Sequence, residues 1–152
     1  MRKEDEGIDM PKYLIAHDLG TSGNKATLFT VDGEHVKSKV ASYDTNFFNA
    51  NWAEQNPDDW WKAVCLSTKE LMQGIDAGSV SAISFSGQMM GCLCLDRNGV
   101  PLRDHIIWAD MRAVAEEEFI RTHIDTREFY HITGHRPSAS YTLAKLLWIK
   151  NN

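Results

Sequence analysis

The sequence predicts a mixed α/β fold, a mixed sheet in which a three-stranded antiparallel meander is joined by a parallel strand, with helices packed on it. Three observations carry that reading. Tyr13–Asp32 places an apolar run, a glycine-containing turn and a second β-favouring run in succession, the pattern of a β-hairpin. Asp32-Gly33 then marks a tight turn into the extended, mostly polar stretch His35–Val40. A helical pattern from Asn56-Pro57 precedes the alternating run Val80–Phe85, which a right-handed crossover lays parallel to the first strand.

The elements follow in order. Residues 1–12, MRKEDEGIDMPK, are charged and have no apolar core, so they read as a frayed N-terminus with Met10 as an alternative start, and not as a signal peptide. Lys37 and Lys39 suit an edge strand. Thr45–Asn56 reads as an irregular loop that tucks in Phe47, Phe48 and Trp52. Asn56 caps the next helix, Pro57 suits its first position, and Asp58 and Asp59 suit the positive end of its dipole. Trp60, Trp61, Val64, Leu71 and Met72 recur at largely helical spacing, and the Trp pair reads as core. After Val80–Phe85 comes Ser86-Gly87-Gln88-Met89-Met90-Gly91, a glycine-bracketed loop at a strand end, where α/β sheets bind ligands. Leu93–Asp96 and Ile106–Trp108 flank the turn Arg97–Pro101 as a second hairpin. Helices are expected over Ala113–Ile120, Thr126–Ile132 and Tyr141–Lys150.

Composition bounds the function. Forty-three per cent hydrophobic and 24% charged residues belong to a soluble globular chain of one domain or part of one. The net charge of −5 and the lack of a basic stripe argue against nucleic acid. No run is long enough to cross a bilayer. Cys65, Cys92 and Cys94 are few and odd in number, and Cys92 and Cys94, two apart, read as packed, reduced thiols and not as a redox pair, which fits the cytoplasm. His131 and His135 have a spacing that suits zinc, but Gly134 lies between them and no Cys or acid stands near, which argues against it.

The chemistry gathers in the first turn. Thr21 and Ser22 hydroxyls, turn N–H groups and Lys25 are donors suited to phosphate oxygens, while Gly20 and Gly23 let the backbone approach closely. Asp18 beside them implies Mg²⁺, because a carboxylate next to phosphate needs a cation between. His17 and Asp18 point to opposite faces of a strand, and His17 reads as packed. This is no Walker A loop, since the glycine spacing cannot be threaded through Lys25 and a strand follows.

The hairpin DLGTSGNK, the helix start AEQNPDDWW, the loop SGQMMG and the segment IIWADMRA, in this order, resemble the N-terminal part of the FGGY carbohydrate kinases, and within them the xylulokinase-like branch. The resemblance runs from Tyr13 to the last residue. It implies an actin-like, ribonuclease H-like ATPase architecture of two domains with a cleft between them, sugar on the first and ATP mainly on the second, and ATP-dependent phosphorylation of a sugar hydroxyl. Residues 13–152 would be a truncated first, sugar-binding domain, with the ATP-binding domain absent and the catalytic base, an aspartate farther downstream, outside the chain. By motif it makes Asp18 and Lys25 catalytic, with Asp18 on Mg²⁺, and gives Gly20, Thr21, Ser22, Gly23 and Lys25 to the ATP phosphates. Gln88, Met89, Met90, Trp108, Asp110 and Arg112 would face the sugar, Asp110 doubling as a cap for a helix from Met111.

Where the xylulokinase-like loop reads glutamine-methionine-histidine-glycine, this chain has Met90, whose thioether offers almost no hydrogen bond. Another pentulose or a related polyol therefore stays open beside xylulose. The chain alone is expected to be inactive and, with a sheet edge left bare, to self-associate, a homodimer being one form. The alternative is a non-catalytic sugar-binding or assembly module built on half an actin-like fold.

Overall fold

The computed structural model describes residues 12–152. Its elements are, in order, strands β1 (Tyr13–Leu19), β2 (Gly23–Thr30), β3 (His35–Ser42), β4 (Asn46–Phe48) and β5 (Trp52–Gln55), helix α1 (Pro57–Leu71), strands β6 (Val80–Gly87) and β7 (His105–Ile106), and helices α2 (Val114–His123), α3 (Thr126–Thr133) and α4 (Thr142–Asn151). They form two compact units. One comprises the described residues up to Tyr43 with Trp60–Gly87, the other Asp44–Asp59 with Gln88–Asn152. The expected frayed stretch lies outside the described residues except for Lys12, whose N–H donates to Ser79 O (2.8 Å) and whose carbonyl accepts from Val31 N (3.0 Å).

In the first unit the strands run in the order β3-β2-β1-β6. β1 pairs antiparallel with β2 and parallel with β6, so the meander and the crossover strand are as the pattern required. Ile15, Ala26 and Leu28 from the hairpin meet Leu71 from the last turn of α1, with Met72, Ile75 and Val80 around them. Burying a leucine such as Leu28 completely is worth roughly 1.5–3 kcal/mol. Toward the turn end, Ala41 and Tyr43 pack on Ala63, backed by Leu19 and Trp60. Trp60 thus joins the core, but Trp61 does not: it is 65% exposed. With Ile83 (51% exposed) and Phe85 (55% exposed) it lines an apolar groove of about 460 Å³ that also takes in Val64 and Met72. β6 is exposed along most of its length and, among the described residues, no strand pairs with its outer edge.

His17 is buried, as expected. Asn24 Nδ2 donates to its Nδ1 (3.0 Å), which leaves Nε2 as the protonated nitrogen facing Thr68 Oγ1 (3.3 Å). Its ring stacks on Phe85 at 4.9 Å. Burial holds its pKa below the ordinary histidine value, against the opposing effect of the Asn24 bond.

Two expectations are corrected in the second unit. Thr45–Asn56 is no irregular loop: β4 and β5 form a hairpin, Phe48 opposite Trp52, turning through Asn49 and Ala50 at φ of 47° and 65°. The second hairpin is not a regular ladder. Only the isolated pairs Cys92–Ile106 and Leu95–Pro101 form, and β7 pairs instead with β5. Ile120, Phe129 and Ala144 with Ala113 and Ala139 make a core between the three helices, with Leu147 and Trp148 against it. No helix of the described residues is long and apolar enough to cross a membrane.

Candidate functional site

The hairpin turn is held from behind. Gly20 N donates to Gly23 O (3.0 Å), Tyr43 N donates to Ser22 O (3.3 Å), and the Tyr43 hydroxyl donates to Gly20 O. Tyr43 is therefore the anchor of the turn, and sequence reading missed it; its signal is a lone tyrosine closing the strand that pairs with β2. Burial, and then the nearby Asp18 carboxylate, raise its pKa, which keeps the hydroxyl protonated and donating. Neither Gly20 nor Gly23 adopts positive φ, contrary to the freedom invoked for them. Gly23 is needed for space: a Cβ there would sit 2.7 Å from Ala41 O.

On the front of the turn, Asp18 and Lys25 are opposite each other in register, both exposed, with exposed Ser22 and half-buried Thr21 at the tip. No group of three or more His, Cys, Asp or Glu side chains gathers among the described residues. A single open carboxylate suits a hard ion that keeps most of its shell from water and phosphate oxygens, as Mg²⁺ does. Gly20 N is already used within the turn, so it is not among the donors left for a ligand.

The second cluster is in the other unit. Gln88 Nε2 donates to Gln55 Oε1 (2.7 Å), while Gln88 Oε1 is enclosed without a hydrogen-bond partner among the described residues. Met89 is 74% exposed, and Met90 sits at φ 66°, a left-handed conformation that a non-glycine residue holds only under restraint. Gly91 follows where a Cβ would fall 2.1 Å from His105 Nε2. Three bonds supply the restraint: Thr142 Oγ1 donates to Gly91 O (2.9 Å), and Lys145 Nζ donates to Met90 O (3.4 Å) and to Ser140 O. Ser140 Oγ in turn donates to Trp108 O (2.6 Å). One buried ammonium thus ties the loop to the segment that carries Trp108, which is 41% exposed between buried Ile107 and half-buried Ala109.

Lys145 is fully buried and was not singled out from sequence, where a lysine in a helix reads as surface. Its signal is position: Lys145 lies four residues after Tyr141 and three before Trp148, on an otherwise apolar face. Burial drives its pKa down to about 8. Burial, then the Lys145 charge, bring His105 down to about 4, and burial brings Cys92 up to about 11.

Asp110 and Arg112 are buried with their charges paired. Asp110 Oδ1 accepts from Arg112 N (3.0 Å) and Nε (2.9 Å), and Oδ2 from Ala53 N (2.6 Å) and Arg112 Nη2 (2.7 Å). The helix expected from Met111 starts at Val114 with Ala113 at its cap, so Asp110 caps the turn at Arg112 and not α2. Arg112 Nη1 lies 2.8 Å from Glu54, which also receives Arg103 Nη2 at 2.7 Å. The guanidinium sits over Trp52 (3.9 Å), with Trp148 (4.9 Å) and Phe48 (5.9 Å) beside it.

The mixed α/β architecture is that of the actin-like sugar kinases, as comparison with known proteins shows. The N-terminal domain of the FGGY family of carbohydrate kinases matches residues 13–152, and the chain belongs to that family. It is 33% identical over 140 residues to a xylulose kinase of Staphylococcus xylosus, covering 92% of this chain and 29% of the relative. It is 33% identical over 142 residues to a gluconokinase of Bacillus licheniformis, covering 93% of this chain and 28% of the relative. A xylulose kinase from Brucella ovis superposes with a TM-score of 0.85 at 30% identity, covering 92% of this chain and 29% of that one. A Plasmodium falciparum glycerol kinase shares the fold with a TM-score of 0.82 at 17% identity, over 94% and 29% of the two chains. The chain therefore spans under a third of the length of these relatives.

His105 gives this unit a pH dependence. Its folded pKa of about 4 lies below the ordinary 6.5, so its neutral-ring contribution is complete above pH 6.5 and is lost as pH falls through about 4. The loss should be on the order of 3 kcal/mol. Urea unfolding at pH 7, 5.5 and 4 is expected to show His105→Asn losing less stability than the unsubstituted chain across this range; parallel losses would contradict the assignment.

Proposed function

We propose that this chain is the sugar-binding part of a kinase that moves the γ-phosphoryl group of ATP to a hydroxyl of xylulose or a related pentulose. The observation that carries the reading is the run of bonds from Met90 through Lys145 and Ser140 to Trp108, which fixes the glycine-bracketed loop and an exposed indole to one buried ammonium. Indole and thioether surfaces suit the carbon face of a sugar, with a few polar groups for its hydroxyls. Gln88 Oε1 is an acceptor without a partner among the described residues, and a sugar hydroxyl would satisfy it. Leaving such a group unpaired costs roughly 1–3 kcal/mol, which a polyol that reaches it recovers. Asp110 and Arg112 act here by holding the Trp108 segment in place, since their charges are spent on each other and on Glu54.

In the other unit Thr21, Ser22 and Lys25 would receive phosphate oxygens, and Asp18 would hold Mg²⁺. Bound there, Mg²⁺ offsets phosphate charge during transfer. Lys25 adds a positive charge on the same strand pair, and the Tyr43 clamp keeps the turn from shifting as a ligand arrives. The acceptor hydroxyl needs a base to take its proton, and no residue of this chain is assigned that role; these 152 residues by themselves therefore bind sugar and turn nothing over.

Calorimetric titration of the chain with xylulose, ribulose and gluconate tests this. Binding of a pentulose in the millimolar range is expected, with Trp108→Ala weakening it by about tenfold or more, a loss of about 1.4 kcal/mol. Unchanged affinity in the variant would refute the sugar subsite, and ATP-dependent phosphorylation by the chain alone would refute its inactivity.

We also propose that the chain self-associates through the bare edge and apolar groove of β6. Sedimentation should show a concentration-dependent dimer that Phe85→Asp abolishes. A clean monomer at high concentration would contradict it.

A further inference from the structure

One cavity belongs to neither cluster. It encloses about 870 Å³ and is lined by Arg121, Thr126, Arg127, Tyr130, His131, Arg136 and Pro137. Its lining holds three arginines and no acid, on a chain whose net charge is −5. A volume of this size takes a small molecule of several rings or a phosphorylated sugar.

The walls are preformed. Glu117 reaches both ways: it pairs with Arg121 on its own helix and accepts the Ala139 N–H (2.8 Å), so the segment bearing Arg136 and Pro137 is pinned to α2. His135 stacks on Tyr141 at 3.9 Å and meets Phe129 edge-on at 5.6 Å. Thr133 Oγ1 donates to His135 O (3.1 Å). Phe129 lies in the core, so α3 presents Thr126, Arg127, Tyr130 and His131 from a fixed base.

The three arginines are not equivalent. Arg121 is neutralised by Glu117 and by Glu118 at 3.3 Å. Arg127 and Arg136 have no carboxylate partner among the described residues: the bonds they make run through main-chain atoms, Arg127 N to Asp125 Oδ1 (2.9 Å) and Arg136 O with His135 Nδ1 (3.0 Å). Asp125, next to the lining Thr126, is turned onto the first turn of α3, where the same oxygen also receives Glu128 N (2.9 Å). Two uncommitted guanidinium groups, a hydroxyl from Thr126, a phenol ring and a proline face combine charge with an apolar wall. Guanidinium forks match the oxygens of phosphate in pairs.

We propose that this cavity is a binding site for the phosphate group of a small organic phosphate, with Arg127 and Arg136 holding the phosphate and Tyr130 and Pro137 flanking the organic part. It stands apart from the sugar subsite and does not depend on that assignment. Exposed arginines spread over a surface would suit a polyanion; here they are gathered in a concavity that admits a small molecule.

The test is isothermal titration of the 152-residue chain at low ionic strength with ribose 5-phosphate, inorganic phosphate and unphosphorylated ribose. Ribose 5-phosphate is expected to bind in the millimolar range or tighter, at least tenfold better than inorganic phosphate, and ribose not at all. Arg127→Gln with Arg136→Gln should weaken ribose 5-phosphate at least tenfold with no change in the thermal unfolding midpoint, and Arg97→Gln, outside the cavity, should leave binding unchanged. Added salt should weaken binding in the unsubstituted chain much more than in the double variant. No binding of ribose 5-phosphate at 10 mM, equal affinity in the double variant, or ribose binding as well as its phosphate would each overturn the site. Equal affinity for inorganic phosphate would overturn the part given to Tyr130 and Pro137.

Discussion

The second unit is built around a charge that has no access to water. Arg112 lies inside a wall of aromatic rings; its Nε and Nη2 donate to Asp110, and its Nη1 forms an ion pair with Glu54. Enclosing one ion this way would be prohibitive, but the two carboxylates and the ring faces compensate it. The arrangement makes distant pieces of chain interdependent. Glu54 belongs to β5, Asp110 fixes the main chain of Ala53 as well as that of Arg112, and Trp148 comes from α4. Taking away any one partner would leave an uncompensated charge, at a cost of about 3–5 kcal/mol. The β4–β5 hairpin, the turn before α2 and the final helix are therefore one object and not three.

That object is what makes the loop Gln88–Gly91 possible. A methionine at φ 66° is a strained local choice, Gly91 after it leaves no room for a side chain beside His105, and the loop persists because α4 grips the carbonyls of Met90 and Gly91. The gripping group is itself costly, an ammonium whose burial favours its neutral form. The Arg112 network stabilises the framework in which Lys145 is held. In the first unit the same logic appears on a smaller scale: Tyr43 stabilises a turn whose Asp18, Ser22 and Lys25 are exposed.

Much of this was legible in the residues. Period-two alternation and Gly-containing turns fixed the meander, and the helix before Val80 required the parallel pairing. The caps at Asn56 and Gly134 placed helix ends within a residue or two. The losses have physical causes. The β4–β5 turn uses Asn49 and Ala50 where an Asn-Gly pair would have signalled a hairpin, so tertiary restraint took the place of turn propensity. Trp61 has helical spacing but faces a groove, because periodicity tells which side of α1 is apolar and not whether something covers it. The mutual pairing of Asp110 and Arg112, which family motifs mark as sugar-facing, could not be read from a spacing of two. Lys145 was invisible for the opposite reason, that burying a lysine is so costly that sequence alone argues against it.

The central claim is that the loop from Gln88 to Gly91 and the indole of Trp108 form one sugar subsite. The most direct measurement is a ¹H–¹⁵N correlation spectrum of the chain titrated with xylulose. The account predicts saturable shifts confined to the amides of residues 88–91, the Gln88 side-chain amide and the Trp108 indole N–H, while the indole of Trp61 stays still. Shifts centred on Trp61, or none near Trp108 at saturating sugar, would contradict it.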